Sequence, residues 1–331
     1  MPQTYYLETN SQDPTYNLAF EEYVLNHYTK GNLLILWQNK NSVIIGRNQN
    51  TAEEINQAFV EKHHVSVVRR NTGGGAVYHD LGNLNYSFLS DADSLDKDTI
   101  RLFLEPVVKA LCSLGLDAEC SGRNDILVSG KKVSGTAQQL HKGRILHHGT
   151  LLFDSDASMI AGALNPDPTK FQSKGIKSVR SRVGNIRSHL EKDMDITAFW
   201  AYLKNFLTEN NAVPLPLTQE DLDAIHQLQK EKYSTWEWNY GKSPKFDAQN
   251  KKRFSGGLLD VRFSIQGGKI TEIRVFGDFL ALKPMTELEN ALIGCPYRRD
   301  ALKDGISKLY LPHYLGTITE DEFLDTILNT I

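Results

Sequence analysis

The fold class is decided by residues 122–153, which read GRNDILVSGKKVSGTAQQLHKGRILHHGTLLF. Short apolar runs in this stretch are separated at close intervals by Gly, Asn and Lys, as in strands that are joined by tight turns. The intervals are too short to hold a helix between successive runs. The stretch therefore predicts an antiparallel meander rather than an alternation of strands and helices.

The regions on either side of this meander add both helices and strands. Helices are predicted from apolar periodicity over residues 18–27 (started by Asn17), 53–63, 98–114, 156–164, 195–208 and 219–232. Strands are predicted over residues 33–38 and 42–46, which an Asn-Lys-Asn turn joins, over 65–70, and as a pair across 75–90. Because runs of strands are followed by runs of helices, the order indicates an α+β protein rather than a doubly wound sheet.

A second, smaller domain is predicted at the end of the chain. Residues 240–253 are polar and aperiodic, which is typical of a connecting segment, and we place a linker at about 246–253. Beyond it, a strand hairpin is predicted over 257–276, followed by helices near 298–308 and 319–328. The sequence thus predicts a larger first domain over 1–245 and a small α+β domain over 254–331.

Composition excludes several classes of protein for these 331 residues. Lys and Arg number 37 against 40 Asp and Glu, so bulk attraction to nucleic acid or to an anionic membrane is not expected. No apolar run reaches the ~18–20 residues of a membrane helix, and the first residues lack a secretory signal. The three cysteines form no C-x-x-C pair, which favours a reducing compartment. We expect a cytoplasmic monomer that binds neither nucleic acid nor membrane.

The sharpest local motif is RRNTGGGAVY at residues 69–78, directly after an apolar strand. Three consecutive glycines expose backbone N–H groups, and the two arginines beside them suit phosphate or carboxylate oxygens. The motif is not a dinucleotide fingerprint, since Tyr78 stands where the third glycine would fall, and no Gly-Lys-Ser/Thr follows as in a P-loop. A flexible hairpin turn is the alternative, and the arginine pair favours the anion site.

Three further segments carry polar groups that could take part in chemistry. Lysines between glycines over 130–135 offer a point charge, and the nearby Asp125 is a candidate Mg²⁺ ligand, although a solvated hairpin explains both residues more simply when they are taken alone. A histidine in the pair at 147–148 is more often structural than catalytic. Four basic residues within 174–182 suit either a solvated loop or a lid over an anion.

Together, five segments resemble the lipoate–protein ligase family in its longer bacterial form, and the resemblance covers essentially the whole chain. The segments stand in the family's order and spacing: RRNTGGGAVYHDLGN (69–83), RNDILVSGKKVSGTAQ (123–138), HHGTLL (147–152), KGIKSVRSRVGN (174–185) and WEWNYGKSP (236–244). The resemblance implies a mixed-sheet catalytic domain of the kind shared with biotin ligases, followed by a small accessory domain.

The resemblance also implies a reaction in two steps. Lipoate and ATP with Mg²⁺ give lipoyl-AMP and pyrophosphate, and the lipoyl group then passes to one lysine of a carrier protein. The implied carriers are the lipoyl domains of 2-oxoacid dehydrogenase E2 subunits and the glycine-cleavage H protein. A mixed anhydride with AMP supplies the leaving group that a free carboxylate lacks, so the site mainly needs positive, preorganised donors.

By the same resemblance, individual positions receive roles. Lys132 is the implied catalytic residue, bridging the acyl carbonyl and the phosphate, while Lys131 is expected on the opposite face of a strand. Asp125 is implied on the Mg²⁺ side, and residues 174–183 resemble a segment that closes over the adenylate. From strand alternation we expect Val43, Ile45 and Val77 along the acyl chain. The implied contacts to ATP and lipoyl-AMP are Arg70, Gly73, Gly74, Gly75, Ala76, Val77, Tyr78, Asn83, Lys132, Ser134, Gly135, His148, Gly149, Ser178, Val179 and Arg180.

Three other functions remain open at this point. An octanoyl or lipoyl transferase of the same fold would need a thiolate nucleophile, for which Cys120 is the nearest cysteine to a motif. A biotin ligase would carry a Gly-Arg-Gly-Arg type of loop, which this sequence lacks. A non-catalytic lipoate-binding protein would bind without turnover, although Lys132, the glycine triplet and the basic loop are all intact.

Overall fold

The computed structural model describes residues 4–91, 99–164, 183–240 and 248–328. The strands are β1 (Thr4–Glu8), β2 (Asn32–Trp37), β3 (Ser42–Ile45), β4 (Ser66–Arg69), β5 (Val77–His79), β6 (Asn83–Asp91), β7 (Ala118–Ser121), β8 (Asp125–Val128), β9 (Lys131–His141), β10 (Arg144–Leu152), β11 (Val213–Pro214), β12 (Ala248–Phe254), β13 (Gly257–Gln266) and β14 (Lys269–Gly277). The helices are α1 (Pro14–His27), α2 (Thr51–Glu54), α3 (Gln57–Lys62), α4 (Thr99–Ser113), α5 (Ala157–Ala163), α6 (Ile196–Leu207), α7 (Gln219–Leu228), α8 (Trp236–Asn239), α9 (Thr286–Leu292), α10 (Arg299–Ile306), α11 (Pro312–Leu315) and α12 (Glu320–Leu328). A 3₁₀ turn covers Arg187–His189 and a π-helical turn covers Gln229–Tyr233.

Eight strands form one large mixed sheet in the order β11-β1-β2-β6-β10-β9-β8-β7. Its first three strands are parallel to one another, and the others pair antiparallel. The predicted meander is confirmed, because β8, β9 and β10 pair with their neighbours in sequence order. A second sheet has the order β4-β3-β5 and a third the order β12-β13-β14. With its flanking helices this is the predicted α+β fold.

The hydrophobic residues bury themselves in separate clusters along the chain. One cluster takes its buried members only from residues 259–327, where β13, β14 and the last helices pack on one another. The other three clusters take theirs only from residues 6–233. We therefore propose two domains, as the sequence predicts. The predicted linker at 246–253 is wrong for 248–253, since Ala248–Phe254 forms β12 and pairs along its length with β13.

Two predicted strand pairs are also corrected by the pairing. The strands near 33–38 and 42–46 form, but β2 belongs to the large sheet and β3 to the small one. The strands across 75–90 likewise form without pairing: β5 pairs with β3, whereas β6 runs between β2 and β10. The short turns at residues 38–41 and 80–82 therefore join strands of different sheets, rather than neighbouring strands of one sheet.

Two predicted helices differ in their bounds. The first begins at Pro14, because the Asp13 side chain accepts the Thr15 N–H at 2.9 Å and caps the helix. Asn17, the predicted start, is buried inside it. The helix predicted over 53–63 is split into α2 and α3, because Ile55 is extended (φ −115°, ψ 148°) and buries its side chain.

In the described ranges, 4–91, 99–164, 183–240 and 248–328, no helix has both the length and the apolar character needed to cross a membrane.

Candidate functional site

A cavity of about 480 Å³ lies between the large sheet, the small sheet, α1 and the β12–β13 hairpin. Its walls come from distant parts of the chain that the two facing sheets bring together. It is lined by Leu18, Trp37, Ile44, Arg70, Gly74, Gly75, Ala76, Val77, His79, Asn85, Arg123, Asn124, Asp125, Lys132, Gly135, Thr136, Ala137, His148, Gly149, Thr150, Arg253, Phe254, Ser255, Gly257 and Asp278.

Lys132 and Asp125 form an ion pair on the wall of this cavity. They lie on the adjacent strands β9 and β8, beside an irregularity in the register, and Lys132 Nζ is 2.7 Å from Asp125 Oδ1. Their side chains are 40% and 32% exposed, so both charges remain accessible from the cavity. Lys131 is exposed, does not line the cavity and packs against Gly184, as its neighbouring position on the strand predicts.

The glycine loop at 73–75 is held from behind by Arg70. The buried Arg70 guanidinium donates to the carbonyls of Ile44 (3.1 Å), Gly73 (2.6 Å) and Gly75 (2.9 Å). Gly74 has φ +91°, a left-handed conformation that favours glycine. Burial lowers the pKa of Arg70 to about 10, so it stays charged at neutral pH. Its charge lies behind the loop, and most of its donors are committed to the protein's own backbone.

Arg69 does not contribute to an anion site, which corrects the expectation that both arginines face a ligand. Its Nη1 donates to the carbonyls of Gly46 (2.9 Å), Arg47 (3.0 Å) and Gln49 (2.7 Å), and its Nε to that of Trp238 (3.0 Å). Burial lowers its pKa to about 10. This side chain ties the 46–51 segment to α8, which is a structural role.

A buried chain of hydrogen bonds connects the glycine loop to α1. Thr72 Oγ1 accepts from Arg70 Nε (2.9 Å) and contacts His148 Nε2 (2.7 Å), while His148 Nδ1 contacts Glu21 Oε1 (2.9 Å). Ser87 Oγ donates to the same carboxylate oxygen at 2.6 Å. The buried Arg70 and Glu21 charges are thus joined through two polar side chains, which fixes the position of His148 in the wall.

Sequence reasoning missed Glu21, although a signal was present. Leu18 and Leu25 mark the apolar face of α1, and residue 21 falls between them at helical spacing. A carboxylate on a buried helix face requires a partner, so its position alone pointed to a polar network. The sequence could not show which distant residue would be that partner. In the structure the partner is His148.

Most predicted site residues line the cavity. They are Arg70, Gly74, Gly75, Ala76, Val77, Asp125, Lys132, Gly135, His148 and Gly149. Ser178, Val179 and Arg180, and residues 174–182 of the predicted closing segment, lie outside the described residues.

Four predicted residues lie behind the wall instead of on it. Gly73 packs against the backbone of Ala281, where an added Cβ would lie 2.7 Å from the amide nitrogen. Tyr78 is buried on the outer face of β5 and donates to Asn41 Oδ1 at 2.8 Å. Asn83 is fully buried and donates to Asn85 Oδ1, and Ser134 is fully buried on the far face of β9. We leave these four out of the proposed site.

The predicted acyl slot is wrong by one position along β3. Val43 and Ile45 pack into a buried cluster with Ile55 on the other side of the small sheet. Ile44 faces the cavity instead, together with Leu18 on α1 and Trp37 on β2. Val77 lines the cavity as predicted. Both faces of β3 are buried, so hydrophobic alternation could not decide which face meets the cavity.

The C-terminal part of the chain closes one side of the cavity. Arg123 donates to the carbonyls of Gly256 and of Asp278, the latter at 3.1 Å. The Gly74 N–H donates to the Phe279 carbonyl at 3.1 Å, so the glycine loop itself is tied to this part. No sequence motif predicted these contacts, because the C-terminal part contributes main-chain carbonyl groups to them rather than side chains.

Two family models together match most of this chain. The model described as the lipoyl protein ligase A/B catalytic domain matches residues 13–208, and the one described as the bacterial lipoate protein ligase C-terminus matches residues 243–327. The chain belongs to the lipoate–protein ligase family.

Curated lipoate–protein ligases are similar over almost their full length. Lipoate-protein ligase LplJ of Bacillus subtilis is 46% identical over 323 residues, which are 96% of this chain and 98% of the relative. Lipoate–protein ligase 1 of Staphylococcus aureus is 43% identical over 317 residues, or 95% of this chain and 97% of the relative. The predicted enzyme class, a ligase that forms an amide bond, is confirmed by these lipoate–protein ligases.

Solved structures of lipoate–protein ligases have the same fold. P. falciparum LipL1 in complex with lipoate has a TM-score of 0.80 at 27% identity and covers 98% of both chains. A lipoate-protein ligase A bound with ATP has a TM-score of 0.63 at 31% identity, over 72% of this chain and 98% of that one. A bipartite ligase from Thermoplasma acidophilum, described with its E2 lipoyl domain, has a TM-score of 0.65 at 32% identity, over 74% of this chain and 98% of that one.

Proposed function

We propose that this lipoate–protein ligase activates free lipoate with ATP to lipoyl-AMP and then transfers the lipoyl group to a carrier lysine. The observation that carries the proposal is the position of Lys132. Its ammonium stands on the cavity wall that also holds the glycine loop and the apolar side chains of Leu18 and Ile44. A cation between an apolar slot and an anion-binding loop is what an acyl-adenylate requires.

In the first half-reaction, a lipoate carboxylate oxygen attacks the α-phosphorus, forming a C–O–P anhydride while the bond to pyrophosphate breaks. Negative charge increases on the phosphate oxygens as pyrophosphate leaves. Lys132 stabilises this charge, and the buried Arg70 charge reinforces the field behind the glycine loop. We place the acyl chain along Leu18, Ile44 and Val77, which exclude water from the aliphatic part.

In the second half-reaction, the neutral amine of the carrier lysine attacks the acyl carbon. The new C–N bond forms, the bond to AMP breaks so that AMP leaves, and the amine's surplus proton passes to bulk solvent. Lys132 again stabilises the oxyanion on the carbonyl oxygen, so one ammonium serves both steps. The ion pair with Asp125 fixes where that ammonium stands before the substrates arrive.

Mg²⁺ is the metal implied by ATP chemistry, and the residues present fit it. Asp125 places one carboxylate at the cavity wall, and Mg²⁺ in nucleotide sites needs only one or two carboxylates besides phosphate oxygens. When bound with ATP, the ion would neutralise phosphate charge. Asp125 would hold it in exchange for part of its contact with Lys132.

We propose that the acceptors are lipoyl domains of 2-oxoacid dehydrogenase E2 subunits and the glycine-cleavage H protein. The T. acidophilum relative, whose structure is described with its E2 lipoyl domain, supports the first of these. We further propose a monomer that works in the cytoplasm, where its three free cysteines, Cys112, Cys120 and Cys295, stay reduced.

The transferase alternative is disfavoured by the position of Cys120. This thiol lies on β7, does not line the cavity, and burial raises its pKa. A raised pKa leaves less of the thiolate that a nucleophile requires.

Lipoate-dependent exchange between ATP and labelled pyrophosphate tests the first half-reaction. The assay uses the full chain with Mg²⁺ and no carrier, and compares wild type with Lys132→Ala. We expect exchange that requires lipoate and falls by at least about a hundredfold in the variant, the loss typical of a removed oxyanion donor.

Lys131→Ala is the matched control, since it removes the same charge from the neighbouring position outside the cavity. It should retain nearly full exchange. If folded wild type shows no exchange, adenylation is wrong, and Cys120→Ala should then be examined for carrier-to-carrier transfer. If both lysine variants lose activity equally, the assignment of Lys132 is wrong.

A further inference from the structure

Two residues that line the cavity, His79 and Asn85, each have a buried donor with no partner within the described residues, His79 Nε2 and Asn85 Nδ2. His79, on β5, is 3% exposed and lines the cavity, and its Nε2 makes no hydrogen bond. Its Nδ1 is 3.1 Å from Asn39 Nδ2, on the β2–β3 turn behind the wall. A buried polar atom without a partner, on a residue that lines a cavity, points to a ligand atom as its partner.

Neighbouring bonds determine which ring nitrogen carries the hydrogen. Asn17 Nδ2 shares its two hydrogens among two backbone carbonyls and Asn39 Oδ1, which lies 2.8 Å away, and this contact directs the Asn39 nitrogen towards His79. Asn39 Nδ2 then donates to His79 Nδ1, and the proton of the neutral ring lies on Nε2. Burial lowers the pKa of His79 to about 3, so the ring stays neutral. Nε2–H is therefore a fixed donor.

The surroundings of this donor suit a soft, polarisable atom. The Trp37 indole lies edge-on to His79 with 6.2 Å between ring centres, and Leu18 and Ile44 line the same cavity. The Trp37 N–H is itself used, donating to Ser87 Oγ at 2.9 Å. A ligand atom here meets aromatic and aliphatic surface plus a hydrogen-bond donor, and sulfur suits all three contacts.

The donor and Lys132 line the same cavity from different sheets, β5 belonging to the small sheet and β9 to the large one. Asn85 and Trp37 face each other across β6 and β2, whereas Lys132 lies on β9, two strands beyond β6. The strand that carries Trp37 is therefore three strand spacings from the strand that carries Lys132, roughly 14 Å. An acid whose carboxylate meets Lys132 therefore extends its far end towards Trp37 and His79.

We propose that His79 is a specificity-determining residue, which selects sulfur-bearing lipoate over acids of the same shape by donating Nε2–H to the dithiolane ring. The inference rests on the proposed function for the identity of the acid. A purely aliphatic end would bury the same donor without a partner, and a site built around a donor discriminates against the analogue that lacks the acceptor.

Binding of two isosteric acids tests the inference on the wild-type chain. Calorimetry without ATP compares lipoate with its carbocyclic analogue, in which two methylenes replace the two sulfur atoms. We expect lipoate to bind about tenfold more tightly. Equal affinities would show that shape alone sets the preference and would overturn the proposal. Because no adenylate is formed, this result is independent of whether the pyrophosphate exchange assay succeeds.

Variants of His79 identify the residue responsible. His79→Phe keeps a planar ring without the donor, and the tenfold preference should disappear. His79→Gln returns an amide N–H near the position of Nε2 and should restore most of the preference. A preference that persists unchanged in His79→Phe would exclude His79 as its source.

His147→Phe is the matched control. His147 is also fully buried, and its Nε2 also has no hydrogen-bond partner, but it packs against Tyr86 and Phe103 on the opposite face of the sheet and does not line the cavity. The preference for lipoate should therefore survive this substitution. Its loss in the control would show a general effect on the sheet rather than contact with the ligand.

Discussion

At position 149 the chain has no room for a side chain. A Cβ added to Gly149 would lie 2.5 Å from the Cζ and hydroxyl oxygen of Tyr86, which is itself fully buried. We expect Gly149→Ala to lower the free energy of unfolding by about 1–3 kcal/mol, since the core must shift to accept the methyl group. Urea unfolding measures the difference. Gly75→Ala is the control, because nothing lies within 4 Å of its added Cβ and stability should stay unchanged.

Asp125 acts on the position of Lys132 more than on stability. Both side chains of the pair are about a third or more exposed, so Asp125→Asn should change the free energy of unfolding by under about 1 kcal/mol. The same change should slow pyrophosphate exchange about tenfold, because the ammonium is no longer held in place.

Asp154→Asn is its control. Asp154 forms an exposed ion pair with Arg187 outside the cavity, so the loss of charge is the same and exchange should be unaffected. An Asp125→Asn enzyme with full activity would contradict a positioning role for this carboxylate.

At the scale of single residues, sequence reasoning located the charged pair of the candidate site better than its apolar slot. Lys132 and Asp125 line the cavity as predicted, because charged residues between glycines must lie where solvent or a ligand can reach them. Ile44 was missed in favour of Val43 and Ile45. Three consecutive buried residues carry no alternation, so only tertiary structure shows which one meets the cavity.

Helix α7 is fastened to α1 through its N-terminal cap. Asp221 accepts from the Tyr23 hydroxyl (2.7 Å) and from the Thr218 N–H (2.7 Å), and these bonds lower the pKa of Asp221 to about 2. A lowered pKa means that the carboxylate stabilises the fold above its unfolded pKa, near 3.9, and that this contribution is lost as pH falls towards 2.

We therefore expect Asp221→Asn to be less stable than wild type at pH 6, with a difference that shrinks steadily as pH falls below about 5. Urea midpoints between pH 6 and pH 3 measure it. Asp223→Asn is the control, because among the residues that the structure describes Asp223 accepts from Gln219 of the same helix alone. If the stability difference between wild type and Asp221→Asn does not vary with pH, the hydrogen bonds of the helix cap, rather than the carboxylate charge, are its source.

At the scale of elements, the sequence predicted which segments form strands more reliably than how the strands pair. The hairpin of β13 and β14 and the meander of β8, β9 and β10 pair as predicted, since tight turns leave no other neighbour. β5 and β6 do not pair, because the chain crosses from one sheet to another in the three residues (80–82) that separate them. Local spacing contains no information about such a crossing.

For the molecule as a whole, Arg123 is a side chain that directly joins the two proposed domains. It donates to the carbonyls of Gly256 and Asp278, and burial lowers its pKa. The seam is the contact between the two proposed domains, and the N–H groups of Gly74 and Gly277 also donate across it, to the carbonyls of Phe279 and Asn48. We expect Arg123→Ala to speed amide hydrogen exchange at Gly74 and Gly277. Exchange in the core of β9 should not change. Mass spectrometry of deuterated peptides measures both.

Arg187→Ala is the matched control for Arg123. Arg187 is an arginine whose partners, Asp154 and Asp193, both lie within the first domain. Exchange at Gly74 should be the same as in wild type. Identical protection in Arg123→Ala and wild type would show that other contacts hold the seam.

The seam described above has an evolutionary consequence. On the C-terminal side, the hydrogen bonds described above use carbonyls and N–H groups of residues 256, 277, 278 and 279, which every non-proline residue possesses. Natural selection therefore acts there on the path of the backbone, and the side chains of the accessory domain can diverge among descendants while the active site stays closed. A lineage could even encode the two halves as separate genes, provided that the smaller product folds to the same backbone path.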